Sequence, residues 1–98
     1  MKTGIELITE ERTRQVSVEG WTAKHDDHHV HGELAVAAAC YAETAALQGE
    51  FGELPPCFWP KQWPFERSAF KGKDRIRNLV KAGALIAAEI DRIQRARQ

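Results

Sequence analysis

Lys73-Asp74-Arg75-Ile76-Arg77-Asn78-Leu79-Val80-Lys81-Ala82-Gly83-Ala84-Leu85-Ile86-Ala87-Ala88-Glu89-Ile90-Asp91-Arg92-Ile93 carries the clearest periodicity in the chain. Ile76, Leu79, Val80, Gly83, Ile86, Ala87, Ile90 and Ile93 recur at steps of three and four, the repeat of one helix face, and predict a helix over about Lys73–Arg97. Gly83 in its middle costs on the order of 1 kcal/mol against alanine. A glycine there points to close backbone approach by another helix or a ligand, and places the Val80–Ile90 stretch in a subunit interface.

Two further helices flank a long connection. Glu33–Ala46 is rich in alanine and leucine with no breaker after Gly32, so a second helix is expected from near Asp27 to about Gln48. It is apolar nearly all round and must be enclosed by neighbours. A first helix is expected over about Ile5–Val16, because Thr3 and Glu6 stand at the spacing of a capping box. Its apolar stripe, Ile5, Ile8 and Thr9, then Arg12 and Val16, is narrow. Between the second and third helices, Gly49–Gly72 holds all four prolines, Trp59 and Trp63. Proline removes a donor and restrains the residue before it, so Leu54–Pro60 and Trp63–Phe65 cannot be regular helix. Disordered linkers lack aromatics, so Phe58, Trp59, Trp63, Phe65 and Phe70 are expected to pack as an ordered cover. The expected fold is all-α: a compact bundle of three main helices with a long ordered Pro/Trp-rich loop between helices two and three, one domain spanning residues 1–98.

Composition bounds the function. With 43% hydrophobic and 29% charged residues, 98 residues build one core, and so short a chain gains apolar burial most easily as a homo-oligomer. No run reaches membrane-spanning length and no charged-then-apolar leader opens the chain, so a cytoplasmic protein without a membrane partner is expected. Cys40 and Cys57 form no CxxC pair, and Cys40 lies in an alanine-rich run that suits a buried thiol. The net charge of zero conceals a division: residues 1–50 carry nine acidic and four basic side chains, and residues 51–98 five and ten. Lys61, Arg67, Lys71, Lys73, Arg75, Arg77 and Lys81 supply most of the positive excess. Such asymmetry points to an anionic partner, or to halves that complement each other within or between subunits.

His25, Asp26, Asp27, His28, His29, His31 and Glu33 form the densest group of titratable side chains. If the second helix begins near Asp27, Asp27 with His31 and His29 with Glu33 are pairs four apart on one face. Asp27, His29, His31 and Glu33 could then bind a divalent metal, since imidazole and carboxylate are metal ligands. Equally, His25, Asp27 and His29 could contact a polar ligand, or an aspartate could cap the helix with the histidines in solvent. The group matches neither HExxH nor a complete HD motif.

The basic segment supplies a second pattern. Trp59 and Trp63 offer flat faces for a base, and Lys61, Lys71, Lys73, Arg75 and Arg77 offer cations for phosphate. Lys73, Arg75 and Arg77 also surround a helix N-terminus, which favours an anion. Duplex nucleic acid is disfavoured, because a neutral chain with a pI of about 6.9 lacks the basic footprint that a duplex requires. Either the tryptophans belong to the core and the cations are solvated, or the segment binds a small phosphorylated ligand, which fits better than a duplex.

Glu19-Gly20-Trp21-Thr22 with His25-Asp26-Asp27, Gly32-Glu33-Leu34-Ala35 with Ala37-Ala38 and Tyr41-Ala42, Trp63-Pro64, Asp74-Arg75, and Leu79–Ile86 with Ala88-Glu89-Ile90 resemble a family of small tailed-phage and prophage proteins over nearly the whole chain. The resemblance implies a phage setting and no particular activity. A narrower likeness, in helical character and acidic helix positions, is to the all-α MazG-type nucleotide pyrophosphohydrolases. The chain departs from their EExxE and ExxD metal motifs, with Glu10-Glu11 followed by Arg14, and Glu89 followed by Asp91. The leading expectation is a phage-encoded nucleotide-binding protein that counters host defence by sequestering a nucleotide signal. The alternatives are a metal-dependent nucleotide hydrolase and a protein inhibitor of a host defence enzyme.

Overall fold

The structure, a computed structural model, describes residues 1–98 and contains helices and no strand. Its elements are α1 (Gly4–Ser17), α2 (Ala23–Asp26), α3 (Glu33–Phe51), a 3-10 turn (Arg67–Ala69) and α4 (Arg75–Ala96). Helices α1, α3 and α4 are the three expected main ones. No helix is long and apolar enough to cross a membrane.

α3 and α4 form the central pair, and α1 packs on α4. The pair comes close because small residues line it: Ala37 and Ala38 of α3 and Ala82, Ala84 and Ala88 of α4 are buried, with Leu34, Cys40, Tyr41 and Leu85 filling the remaining space. Burial also pushes the Cys40 thiol up in pKa. α4 begins where Asp74 caps it, its carboxylate accepting from the Arg77 N–H at 3.0 Å. α1 opens with the expected capping box: the Glu6 N–H donates to Thr3 Oγ1 at 3.2 Å, and the Thr3 N–H to Glu6 Oε1 at 2.9 Å.

Three features differ from expectation. The second long helix starts at Glu33 rather than near Asp27, because Gly32 adopts a left-handed conformation at φ +83°. A left-handed residue cannot continue a right-handed helix and is accessible chiefly to glycine. The histidine run therefore spans the short α2, which Thr22 caps, and the turn after it. Secondly, α1 buries only part of its apolar stripe. Ile8 is half-buried, but Ile5 is 74% exposed and Val16 is also exposed, whereas Glu11 and Gln15 face inward. The α1 face is set by ion pairing as well as by Ile8, since Glu11 meets Arg77 of α4. Thirdly, the close approach at Gly83 is made within the chain. A Cβ there would stand 2.5 Å from Cδ1 of Ile8, so Gly83 is the notch that receives α1.

The loop between α3 and α4 is the expected ordered cover. Trp63 is buried, donates its indole N–H to the Glu66 carbonyl at 2.9 Å, and lies edge-on to Tyr41, Phe65 and Phe70 at centroid separations of 5.2–5.5 Å. Its last residues are tied down by polar groups. The Lys71 N–H donates to Tyr41 Oη at 3.1 Å, and the buried Lys81 ammonium donates to the Lys71 carbonyl at 2.9 Å. Fully buried Asn78 accepts from the Lys73 N–H at 2.8 Å and donates to the Lys73 carbonyl and to Gln48 Oε1, both at 2.9 Å.

The Gly83 notch can be tested by changing both sides of it. Gly83→Ala should destabilise the protein by about 1–2 kcal/mol in urea unfolding, the usual cost of overpacking. In an Ile8→Ala background the same change should instead be neutral or stabilising, because the helix-propensity gain of up to about 1 kcal/mol is then unopposed.

Candidate functional site

The structure divides the expected site in two. Lys71, Lys73 and Arg75 line one open groove of about 750 Å³, between the C-terminal half of α3, residues 52–58 and the start of α4. Phe58, Phe70, Pro55 and Pro56 supply its apolar surface, and Thr44 and Gln48 reach it from α3. All three cations are exposed and none forms an ion pair. The tied backbone of residues 71–73 positions the lysines, and Gly49 positions Arg75: a Cβ on Gly49 would collide with the Arg75 guanidinium, which lies against the α3 backbone. Acidic Glu53 and Asp74 also line the groove.

The other expected members of the basic and aromatic group lie elsewhere. Trp63 is only 9% exposed, belongs to the core and does not line the groove, so it offers no face to a base bound there. Trp59 is half-buried with the Arg67 guanidinium 5.0 Å above its ring, and it shares a shallow hollow with Lys61. Arg77 turns to α1 and pairs with Glu11. Phe58 and Phe70, expected only as cover, are the aromatic residues that reach the groove.

Glu11 shows why Arg77 is structural. Its carboxylate is buried and accepts from Arg14 at 2.8 and 2.9 Å and from Arg77. Burial alone would raise its pKa, but the hydrogen bonds and charges of the two guanidinium groups outweigh it and hold the carboxyl down to about 2. Burial likewise lowers the Lys81 ammonium to about 8, against the opposing pull of Glu11. That ammonium also sits 5.3 Å from the centre of the Tyr41 ring.

The histidine run gathers differently from the sequence expectation. Asp27 pairs with Arg95 of α4 at 2.7 Å rather than with His31. His31 is exposed, and its backbone N–H donates to Glu33 Oε1 at 2.6 Å. The Glu33 carboxyl is lowered chiefly by its own backbone N–H at the helix start. His29 Nδ1 lies 3.8 Å from Glu33. No group of three or more His, Cys, Asp or Glu side chains is arranged to hold a metal ion, so Asp27, His29, His31 and Glu33 do not form the expected ligand set. Of the acidic residues weighed against the pyrophosphohydrolase motifs, Glu10 pairs with Lys2, Glu11 with two arginines and Glu89 with Arg92, while Asp91 is exposed and unpaired.

His25 and His29 instead face a second, smaller cavity of about 220 Å³, with Trp21, Leu34, Trp63 and Phe65 among its walls. His25 Nδ1 is 3.0 Å from Asp26, whose carboxylate is fully buried and paired with Arg12. Trp21 lies parallel to His25 at 6.0 Å, and His29 stands edge-on to Phe65 at 5.0 Å. Comparison with protein-family models, curated proteins and solved structures finds no match to this chain.

Glu11 gives a pH dependence of known sign. Its folded-state pKa lies below the ordinary 4.5, so the stability it contributes is complete above about pH 4.5 and is lost as pH falls toward 2. The wild type should lose roughly 3 kcal/mol more than Glu11→Gln across that interval, measured by urea unfolding at pH 6, 5, 4, 3 and 2, in steps of about one unit.

Proposed function

We propose that the protein binds a small phosphorylated ligand, a nucleotide, in the groove lined by Lys71, Lys73 and Arg75. One observation carries this reading: three exposed cations without ion-pair partners line one groove with Phe58 and Phe70, and hydrogen bonds to buried Tyr41 and Asn78 hold the backbone of two of them, Lys71 and Lys73. Cations on an ordered backbone meet a phosphate at a lower entropic cost than free lysines do. The aromatic and proline surface opposite them suits the flat face of a base. A groove in a neutral chain favours a small molecule over a duplex, whose binding draws on an extended basic surface. With the resemblance to phage proteins, the role we infer is a phage-encoded protein that sequesters a nucleotide signal of the host defence in the host cytoplasm. The engaged acids and the lack of a metal-binding cluster favour binding over metal-dependent hydrolysis.

A second reading, action through a protein interface, is favoured by the outer face of α4. Ile76, Leu79, Ile86 and Ile90 are each about half exposed or more, at steps that place them on one side of α4, and Ile5 of α1 is 74% exposed. Exposed apolar residues that group together mark association. A second copy, giving a homo-oligomer, or a host defence enzyme would cover it.

Calorimetric titration against mono-, di- and cyclic nucleotides tests the first reading. Binding should weaken at least about tenfold, or about 1.4 kcal/mol, in the Lys71→Ala/Lys73→Ala/Arg75→Ala variant. Its melting should change little, since exposed cations each contribute roughly 0–1 kcal/mol. Arg77→Ala should do the reverse, costing stability while sparing affinity. No heat from any nucleotide with folded protein at high concentration would transfer the function to the protein interface.

A further inference from the structure

The smaller cavity has features that the nucleotide reading does not use. It shares no lining residue with the groove, and Phe70 of the groove meets Trp63 of the cavity edge-on at 5.2 Å. Its walls are Trp21, Leu34, Trp63 and Phe65, with the imidazoles of His25 and His29 as the polar groups. Close-packed cores leave few voids larger than a water, and an apolar cavity of about 150 Å³ accommodates benzene. At about 220 Å³ this one has room for a one- or two-ring planar molecule.

The polar side of the cavity is fixed in chemistry as well as in place. Asp26 is 0% exposed, and its carboxylate, paired with Arg12, acts only as an acceptor. In its neutral form the His25 ring therefore places its proton on Nδ1, directed at Asp26 Oδ1 at 3.0 Å, and leaves Nε2 as an acceptor. Nε2 of His25 has no hydrogen-bond partner in the protein, nor has either nitrogen of His29, whose Nδ1 is 3.8 Å from Glu33. Burying a carboxylate and an arginine to orient one imidazole is costly unless the pair is well matched. The His25 side chain, 40% exposed, lines an apolar hollow together with the indoles of Trp21 and Trp63. Apolar and aromatic walls with a few placed polar groups are the make-up of a small-molecule site.

We propose that this cavity binds a small planar aromatic molecule bearing one hydrogen-bond donor, a hydroxyl or a ring N–H, which donates to His25 Nε2 while its ring packs among Trp21, Trp63 and Phe65. Asp26 is a positioning residue that sets the tautomer of His25. The site is independent of the nucleotide groove, and neither depends on the other being occupied.

Titration of the full chain with phenol, indole, toluene and benzoate, followed by ¹H–¹⁵N correlation spectra, tests this assignment. Phenol and indole should shift the indole N–H signals of Trp21 and Trp63 saturably. Toluene, lacking a donor, and benzoate, carrying acceptors only, should bind about tenfold more weakly or less. Ala69→Leu, at the exposed 3-10 turn on the rim, should fill the opening and abolish the shifts while leaving the spectrum folded. His25→Phe should keep the cavity apolar and reduce phenol to the affinity of toluene. Absence of saturable shifts with phenol and indole would overturn the site, as would shifts undiminished by Ala69→Leu. Equal affinity for phenol and toluene in the wild type would overturn the role given to His25.

Discussion

The buried amide of Asn78 is the group on which the order of the loop before α4 depends. It lies one turn into α4, is fully enclosed, and satisfies Gln48 of α3 together with both backbone groups of Lys73. A buried amide left unsatisfied costs about 1–3 kcal/mol per group, so these partners hold one another in a single arrangement. Gln48 closes the ring by donating to the Lys73 carbonyl at 2.9 Å. Tyr41 and Lys81 extend the same restraint to Lys71. A loop of more than twenty residues thus reaches α4 with a defined backbone, and the cations it carries stand on a fixed rim.

The opposed charges of the two halves resolve into two parts. Some of the excess is internal complementarity: Glu11 of α1 holds Arg77, and Asp27 holds Arg95, so acids of the first half lock the second half in place. The rest is left over. Lys61, Arg67, Lys71, Lys73 and Arg75 form no ion pair, and three of them share the groove. Separating paired from unpaired cations places part of the compositional asymmetry at the groove. The aromatic residues divide in a comparable way, with Trp63 and Tyr41 in the core, Phe58 and Phe70 at the groove, and Trp21 and Phe65 at the histidine cavity.

Much of the fold is legible in the chain. The three- and four-step repeat from Ile76 to Ile93, the Thr3/Glu6 box and the alanine-rich run each specify a helix through local physics, and the helices lie where those signals stand. The proline and aromatic content of residues 49–72 also marks an ordered cover. Less legible was anything decided by a single dihedral or a distant partner. Gly32 could have continued a helix, and only its left-handed φ moves the start of α3 to Glu33 and breaks the Asp27/His31 face. α1 is oriented in part by Glu11 meeting a residue sixty-six positions away, which no periodicity in α1 encodes. Trp59 and Trp63 look alike in sequence, yet Trp63 is buried because Tyr41, Phe65 and Phe70 converge on it from three segments. Gly83 did signal close approach, and its partner proved to be Ile8 of the same chain.

The pinned rim is the central claim, and hydrogen exchange of individual amides tests it most directly. The Lys71 and Lys73 N–H groups, bonded to Tyr41 and Asn78, should exchange on the slow timescale of the α3 and α4 core, at rates set by global unfolding. The neighbouring Gly72 and Asp74 amides, which have no such acceptors, should exchange far faster. Rapid exchange at Lys71 and Lys73, equal to that of their neighbours, would show a free loop and contradict the account.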